Sequence, residues 1–290
     1  IMGQKKEHWQ TLVRRLEAAG VDFIECSFSC PHGMPERGMG STIGQDAELT
    51  ERTARWVKEA ASRVPVSIKV TPLVADLPHI ARAVQKSGAD AITAINTVKC
   101  LIGVDIDNFV PYPVVDGKSS YGGYSGAAIK PISLRCVAEI AKAVDMPISA
   151  TGGISTWRDA VEFLLCGARN LQVCTAAMKH GFRVIEDLTD GLSVYLEDKG
   201  MSSVEELVGL ALPNIVEHSR LSREYKPVSK INLETCVKCD VCYIACQDGG
   251  HQAITLDDKR LPHVDEEKCV GCAMCASVCP VFECIQMAPR

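Results

Sequence analysis

The cysteines near the end of the chain constrain its fold more than any other feature. The segments "CVKCDVCYIAC" and "CVGCAMCASVC" share the spacing C-x2-C-x2-C-x3-C. In this spacing three thiolates from one turn bind one iron–sulfur cubane, and the fourth cysteine reaches across to a second cubane. The predicted ligands of the two [4Fe–4S] clusters are Cys236, Cys239, Cys242 and Cys279 for the first, and Cys269, Cys272, Cys275 and Cys246 for the second.

Cysteine usage also indicates the cellular compartment. The chain has 15 cysteines, and its opening, "IMGQKKEHWQ", is not a secretory signal. Metal-bound thiolates in a reducing cytoplasm are therefore expected rather than a disulfide framework. Zinc is the alternative metal, but zinc sites usually separate their C-x2-C pairs by a longer gap.

Two clusters carry single electrons, so they do no substrate chemistry by themselves. A flavin is the natural mediator, because it can exchange either one or two electrons with a substrate and a cluster. The dinucleotide motif G-x-G-x-x-G does not follow any predicted strand. Any NAD(H) site is therefore expected on a separate partner.

The first two-thirds of the chain alternates predicted helices and strands. The phrases "AAGVDFI", "KSGADAI" and "LCGARNL" each combine a helix end, a glycine cap and a new strand. The predicted strands are "VDFIECSF", "VSIKVTP", "AITAINT", "PISATGG" and "NLQVCTA". Repeated βα units with apolar strands indicate a buried parallel sheet, either doubly wound or closed into a (β/α)8 barrel.

The change of pattern along the chain predicts its domains. Residues 1–217 form the βα domain, 218–230 a polar linker, and 231–290 a small α+β domain of the ferredoxin-like 2x[4Fe–4S] type. The opening letters "IMG" are typical of the end of a strand. If the sheet is a barrel, which typically takes about 250 residues, strands before this point are missing.

The long segment 98–126 contains "DGKSSYGGYSG". Segments of this length in a compact domain usually act as lids or binding loops, with a disordered insertion as the alternative. Polar and glycine residues also end each predicted strand, which is where both architectures place their sites.

Charge and hydropathy argue against two classes of partner. Acidic and basic residues are interspersed with a net charge of −5, and no basic stripe suggests nucleic acid. No apolar run reaches the length of a membrane span.

The motifs of the βα domain resemble a known family. The segments "FIECSFSCPHG", "IKVTP", "AINTV", "GGYSGAAIKPI", "ATGGI" and "LQVCTA" together are similar to dihydropyrimidine dehydrogenases. With the cysteine module behind them, their order resembles the catalytic subunit of the bacterial NAD-dependent enzyme. The dihydroorotate dehydrogenases are similar more distantly. The resemblance implies an FMN-binding (β/α)8 TIM barrel, truncated here at its N-terminus.

The resemblance also implies an oxidoreductase acting on CH–CH groups. The family reversibly reduces the C5–C6 double bond of uracil or thymine, with FMN exchanging the hydride and a cysteine thiol the proton. Cys30 in "SCPHG" matches that cysteine, and a thiol with a pKa of about 8.5 can donate near neutral pH. The alternative for Cys30 is an inert small hydrophobe. Electrons reach NAD(H) through an FAD- and NAD-binding flavoprotein subunit, which implies a hetero-oligomer.

Other site residues carry over from the family's motifs. Lys69 matches a lysine at the pyrimidine edge of the flavin, with a lysine that snorkels at the strand end as the alternative. Asn96 and Thr97 match a pair that binds the substrate. The residues implied for FMN binding are Lys69, Ser125, Gly126, Thr151, Gly152, Gly153, Cys174 and Thr175.

One position departs from the family pattern. Ser27 stands three residues before Cys30, where the family normally has an asparagine that contacts the substrate. A serine hydroxyl can still form a hydrogen bond, so Ser27 is kept as a substrate residue while the exact substrate is less constrained. His32 is a further candidate for substrate contact or for tuning the thiol, with a solvated loop histidine as the alternative.

Two other functions compete with this interpretation. A dihydroorotate-type dehydrogenase of another cyclic amide needs a cation near Cys30, and Arg37 lies in the same segment. A non-enzymatic, ferredoxin-like electron-transfer module would hold the clusters without a flavin. Competition between orotate and uracil tests the first alternative, and flavin absorbance tests the second.

Overall fold

The computed structural model describes residues 1–32, 34–222 and 224–290. The chain divides into a first unit, Ile1–Ile215, and a second unit, Val216–Arg290. Residues 28–37, which follow β1, are called the Cys30 segment. Gly33 of this segment and Arg223 of the predicted linker lie outside the described residues. Among the helices that are described, none is long and apolar enough to cross a membrane.

The first unit alternates helices and strands. Its strands are β1 (Ile24–Ser27), β2 (Val66–Lys69), β3 (Ala91–Ala94), β4 (Val98–Cys100), β5 (Val104–Asp105), β6 (Val110–Pro111), β7 (Gly122–Tyr124), β8 (Ile148–Thr151) and β9 (Asn170–Gln172). Its helices are α1 (Lys6–Ala18), α2 (Ser41–Gly44), α3 (Ala47–Lys58), α4 (Leu77–Lys86), α5 (Lys130–Ala143), α6 (Trp157–Leu165), α7 (Thr175–His180) and α8 (Arg183–Lys199).

The main sheet contains the five predicted strands in the order β1-β2-β3-β8-β9, all parallel. Because this order follows the chain, right-handed crossovers place the connecting helices on one face, as in a barrel. A doubly wound sheet instead reverses its order and covers both faces. The sheet also curls, since Gln172 in β9 donates a hydrogen bond to Glu25 in β1 at 2.9 Å. The barrel-type fold is confirmed.

The helices begin and end where local chemistry favours it. Asp46 and Asp76 cap α3 and α4, each accepting a backbone N–H from the third residue of its helix. Gly20, Gly88 and Gly167 lie at the helix ends within the repeated phrases, with φ of +82°, +83° and +103°. A side chain is disfavoured at these φ values, so the glycines allow each helix to turn into the next strand.

The core lies between the sheet and the helices. One face of α4 is buried against the sheet, at Leu77, Ile80, Ala81 and Val84. At the other end of the core, the rings of Trp9 and Phe28 pack edge to face with centroids 5.3 Å apart. Phe28 follows β1 directly, so this contact fixes the start of the Cys30 segment.

The long segment after β3 forms an ordered arm, residues 98–124, rather than an irregular loop. In it β4 pairs with β7, and β5 pairs with β6, both antiparallel. The base of the arm lies on Thr97, because a Cβ at Gly123 would come within 2.1 Å of the Thr97 Oγ1. Glycine at position 123 therefore allows the arm to lie against Thr97, just after the end of β3.

The second unit is small and built from two ribbons and two helices. Strand β10 pairs antiparallel with β13, and β11 with β12. Residues 227–230, expected in the linker, instead belong to β10, because Val228 and Ser229 are buried in this ribbon. The elements are β10 (Pro227–Ile231), α9 (Val241–Asp248), β11 (Ile254–Leu256), β12 (Pro262–Val264), α10 (Met274–Ser277) and β13 (Ile285–Pro289).

Candidate active site and cluster cavities

A cleft of about 220 Å³ opens at the C-terminal ends of the sheet strands. The cleft is lined by all eight residues expected to bind FMN and by the two residues expected after β3. These are Lys69, Asn96, Thr97, Ser125, Gly126, Thr151, Gly152, Gly153, Cys174 and Thr175.

The glycines at one end of the cleft form a cradle that a side chain would fill. Gly152 and Gly153 have φ of +123° and +95°. A Cβ on Gly153 would lie 2.8 Å from the backbone nitrogen of Lys130, at the start of α5. Gly126 faces Thr175, whose hydroxyl donates to the Ser125 Oγ at 2.9 Å. Close backbone and paired hydroxyls of this kind suit a phosphate group.

The other end of the cleft contains a charged network on the concave face of the sheet. The Lys69 Nζ lies 3.0 Å from the Glu25 Oε1. Gln172 donates to the second Glu25 oxygen and to the Ser149 hydroxyl, at 2.9 and 3.0 Å. Burial raises the pKa of Glu25, but the hydrogen bond from Gln172 and the Lys69 charge outweigh it, so the pKa is lowered overall. Lys69 is thus held as a paired cation, one-fifth exposed, at the wall of the cleft.

Cys30 lies in the segment that follows β1, beside the residues that line the cleft rather than among them. Its thiol donates to the His32 carbonyl at 3.4 Å, a weak contact, and its carbonyl accepts from the Ser41 N–H at 3.0 Å. Gly40, with φ of +59°, approaches so closely that a Cβ would lie 2.7 Å from the Cys30 oxygen. The backbone of Cys30 is therefore fixed while its thiol is only weakly held. The His32 side chain is exposed.

The neighbouring cysteine differs from Cys30 in its surroundings. Cys26 in β1 is fully buried in the core, and burial raises the pKa of its thiol to about 12. Because side chains alternate along a strand, Cys26 faces the helices while Ser27 faces the concave side. Cys30, partly exposed, is the accessible thiol of this segment.

A chain of hydrogen bonds connects the Cys30 segment to the cleft. The amide of Asn96 donates to the Ser29 hydroxyl at 2.9 Å, and the Ser27 hydroxyl lies 3.4 Å from the Ser29 hydroxyl. The Asn96 side-chain oxygen accepts from the Thr97 N–H at 2.7 Å. The structure therefore brings Ser27, Asn96 and Thr97 together across two strand ends.

Three residues of this site were not predicted from the sequence. Glu25 and Gln172 are separated by 147 residues and meet only because the sheet curls. Ser29 is buried and links the two strand ends through Asn96. Alternation along β1 offered a signal for Glu25, since it lies on the same face as Ser27, two residues further on.

In the second unit, the eight cysteines with repeated spacing line two separate cavities. We call them cavity one and cavity two. In each, three cysteines come from one motif and the fourth from the other, as the spacing predicts. Cavity one contains Cys236, Cys239, Cys242 and Cys279, and cavity two contains Cys246, Cys269, Cys272 and Cys275.

Four of the eight cysteines line each cavity, three from one motif and one from the other. A tetrahedral zinc needs four ligands at about 2.0–2.3 Å, whereas a cubane binds each thiolate at a different iron. The donor set and its spacing therefore fit two cubanes.

Comparison with protein families agrees with this division of the chain. The model of the dihydroorotate dehydrogenase family matches residues 1–196. The model of the 4Fe-4S dicluster domain matches residues 229–287. The first match covers the main sheet and its cleft, and the second covers both cysteine cavities.

Individual relatives extend the likeness. The NAD-dependent dihydropyrimidine dehydrogenase subunit PreA of Escherichia coli is 48% identical over 99% of this chain and 70% of its own length. The chloroplastic dihydropyrimidine dehydrogenase (NADP(+)) of Arabidopsis thaliana is 40% identical over 76% of this chain and 53% of its own length. The catalytic subunit of dihydroorotate dehydrogenase B (NAD(+)) of Pyrococcus furiosus is 43% identical over 73% of this chain and 67% of its own length.

A solved structure shows the same fold. The DHODH of Eimeria tenella, crystallised in complex with ferulenol, has a TM-score of 0.57 and 21% identity. The match covers 71% of this chain and 57% of that one.

Proposed function

Because the chain belongs to the dihydroorotate dehydrogenase family and also carries a 4Fe-4S dicluster domain, we propose that it is the catalytic subunit of an NAD-dependent dihydropyrimidine dehydrogenase. It reversibly reduces uracil or thymine to the 5,6-dihydro product. The proposal rests on one combination, a strand-end cleft bonded to the Cys30 segment and two four-cysteine cavities in the same chain.

The cleft residues would hold FMN at two ends. The backbone around Gly126, Gly152 and Gly153, with the Ser125 and Thr175 hydroxyls, suits its phosphate. Lys69 would lie at the pyrimidine edge, where its charge favours an anionic reduced ring. When bound, FMN supplies hydride exchange with the substrate and single-electron exchange with the clusters.

Cys30 would exchange the proton at C5 of the pyrimidine. Its thiol donates the proton in the direction of reduction, and its thiolate removes it in the reverse direction. The weak contact with the His32 carbonyl leaves the thiol free to turn towards a substrate. The contacts of the Cys30 carbonyl with Gly40 and Ser41 would hold the Cys30 backbone in place while the thiol turns.

Asn96, Thr97 and Ser27 would orient the base. The uracil edge alternates C=O and N–H groups, which an amide and hydroxyls can match as donors and acceptors. The Asn96 side chain donates to the Ser29 hydroxyl and accepts from the Thr97 N–H. These contacts hold the amide at the strand end before substrate binds. His32, which is exposed, would also contact the substrate.

The two clusters would carry electrons to and from a partner. NAD(H) would bind to a separate FAD-containing flavoprotein subunit, so the working enzyme is a hetero-oligomer. Cluster thiolates are compatible with the reducing cytoplasm, where we place the enzyme. The substrate that the chain itself binds is a pyrimidine base.

The test is anaerobic turnover of 5,6-dihydrouracil by the full-length protein, loaded with FMN and clusters, with an artificial electron acceptor. We expect formation of uracil and loss of most of that activity in Cys30→Ala. Absence of turnover with any dihydropyrimidine by the loaded protein would contradict the substrate assignment. A protein that binds clusters but no flavin would contradict the enzymatic assignment and favour an electron-transfer module.

A second candidate is oxidation of dihydroorotate or another cyclic amide. The 43% identity to the dihydroorotate dehydrogenase B subunit and the presence of Ser27 favour keeping it. The test is competition of uracil and orotate for the loaded protein, followed through the flavin absorbance. Tighter binding of orotate would support this second candidate over the first.

A further inference from the structure

The β10–β13 ribbon gives the two cysteine cavities different walls. Ser229 and Met287 are cross-strand partners, and both line cavity two. Ile231 and Ile285 are the cross-strand partners two residues along, and both line cavity one. Because residues two apart share a face, the ribbon presents one pair to each cavity. The pair at cavity one is aliphatic, whereas the pair at cavity two includes a hydroxyl.

The hydroxyl at cavity two contacts a cysteine of the predicted cluster. The Ser229 Oγ lies 3.3 Å from the Cys275 Sγ. Ser229 is 2% exposed and Cys275 is 8% exposed. Among the described residues, the Cys275 sulfur is the hydrogen-bond partner of the buried Ser229 hydroxyl. A buried hydroxyl without any partner would be costly, so the contact is expected to persist when the cavity is loaded.

We propose that Ser229 donates a hydrogen bond to the Cys275 thiolate and raises the reduction potential of the cluster in cavity two. A thiolate bound to iron has no proton, so the hydroxyl must act as the donor and the sulfur as the acceptor. A hydrogen bond at a ligand sulfur withdraws electron density, which favours the more negatively charged reduced cluster. Ser229 is a positioning and tuning residue in electron transfer, since it does not bind iron itself.

The other donors and charges at the two cavities do not remove this contrast. In each cavity a backbone N–H points at a sulfur, from Lys238 to Cys236 at 3.4 Å and from Ala253 to Cys246 at 3.3 Å. The charged groups at cavity one include Lys238 and the ion pair of Arg260 with Asp240, and His251 lines cavity two. The effect of the hydroxyl on the potential of the cavity-two cluster is therefore measured by substituting Ser229, with the cavity-one cluster as the reference.

The experiment is an anaerobic redox titration of the full-length loaded protein, with each cluster followed by electron paramagnetic resonance. We expect Ser229→Ala to shift the midpoint potential of the cavity-two cluster to a more negative value and to leave the other cluster unchanged. Cys239→Ser, which removes a ligand of cavity one, identifies which signal belongs to which cavity.

A matched pair separates the hydroxyl from packing. Ser229→Thr keeps the hydroxyl and adds a methyl group. Ser229→Val has the same shape as the Thr variant but carries a methyl group in place of the hydroxyl. The Thr variant should titrate like the unchanged protein, and the Val variant should show the negative shift. In the other cavity, Ile231→Ser introduces a hydroxyl and should raise the potential of the cavity-one cluster. Equal potentials for the Thr and Val variants, or a shift common to both clusters, would overturn the proposal.

The inference rests on the cluster assignment made under the proposed function, but it fails separately. Fewer than two clusters by iron content would remove the cofactor assignment itself. If both clusters are present and each has the same potential in the unchanged protein and in the Ala, Thr and Val variants of Ser229, only the role of Ser229 is removed.

Discussion

The two units of the chain build their sites in opposite ways. In the second unit, the ligands of both cavities lie within the segment from Cys236 to Cys279. In the first unit, the cleft is lined by residues between Lys69 and Met178, and its charged wall depends on Glu25 as well. A site made from a local motif can be read from spacing. A site made from strand ends requires the fold.

The same contrast applies to what stabilises each unit. The first unit has a continuous core of large apolar side chains, such as Trp9, Phe28 and Phe163. Among the described residues of the second unit, the hydrophobic core has five buried residues, of which three are cysteines: Cys242, Cys275 and Cys284. Because two of these are predicted ligands, folding of the second unit should depend on its metal clusters.

The largest expected effect is therefore cluster removal. Oxidative loss of iron from the full-length protein should abolish amide protection across residues 227–289 while the main sheet keeps its protection. Hydrogen exchange measured peptide by peptide checks this. Equal loss in both units, or loss in neither, would break the comparison.

A pair of cysteines in cavity one refines this test. Cys279 is a predicted ligand, whereas Cys284 lines the same cavity and donates to the Asn232 carbonyl at 3.4 Å. Cys279→Ser should lose one cluster by iron content, and Cys284→Ala should keep both. The opposite outcome would show that the spacing of the motif had been assigned to the wrong thiols.

Cys30→Ala should give the next largest effect. Removal of a proton donor typically costs about 10²- to 10⁴-fold in rate, and FMN and cluster contents should be unchanged. Anaerobic turnover with 5,6-dihydrouracil measures it. Cys166→Ala is the control, because Cys166 ends α6 away from the cleft, and its turnover should remain normal. Unchanged turnover in the Cys30 variant would refute the role of Cys30.

Gly153→Ala should weaken FMN binding. A side chain in the left-handed region costs roughly 1–2 kcal/mol, and here the added Cβ also meets the Lys130 backbone. We expect FMN affinity to fall by about 5- to 30-fold, measured by fluorescence titration. Gly88→Ala has a similar φ of +83° with nothing within 4 Å, so it should bind FMN normally. Similar losses in both would assign the effect to backbone strain alone.

Ser27→Asn should have a smaller effect, confined to the substrate. Restoring an amide adds a hydrogen bond worth about 0.5–1.5 kcal/mol, so KM for uracil should fall by roughly 2- to 10-fold. The rate at saturation should change little. A higher KM for uracil would mean that the pocket is built around the serine.

The smallest expected effect concerns a carboxylate that stabilises the first unit. Hydrogen bonds from the Arg63 N–H and from Ser62 lower the pKa of Glu17 from 4.5 to about 2. Because the pKa is lowered in the folded state, this stabilisation is present above about pH 4.5 and is lost as the pH falls towards 2. Glu17→Gln should lower the melting temperature of the first unit by a few degrees at neutral pH.

The pH dependence separates this effect from a general loss of packing. The melting temperatures of Glu17→Gln and the unchanged protein should converge as the pH approaches 2. Glu197→Gln, at an exposed position of α8, is the control and should melt normally throughout. A difference that persists at low pH would contradict the role of the Glu17 charge.

The sequence predicted the parts of the structure that depend on local chemistry. The five strands, the glycines at the helix ends and the grouping of the cysteines follow from periodicity and spacing. Periodicity alone leaves a barrel and a doubly wound sheet open; the family resemblance implies the barrel, and the strand order agrees with it. The Glu25–Gln172 contact needed the curl of the sheet. The polar letters of "KPVSK" predict a linker, whereas Pro227–Ile231 form β10, because pairing with β13 buries Val228 and Ser229.

The central claim is that the cleft passes reducing equivalents from a dihydropyrimidine to FMN and then to the clusters. The most direct measurement mixes the loaded full-length protein with 5,6-dihydrouracil under anaerobic conditions, without any acceptor, and follows the flavin and cluster absorbance. We predict bleaching of the flavin band and partial bleaching of the cluster band, both strongly slowed in Cys30→Ala. Bleaching by dithionite but by no dihydropyrimidine would contradict the account.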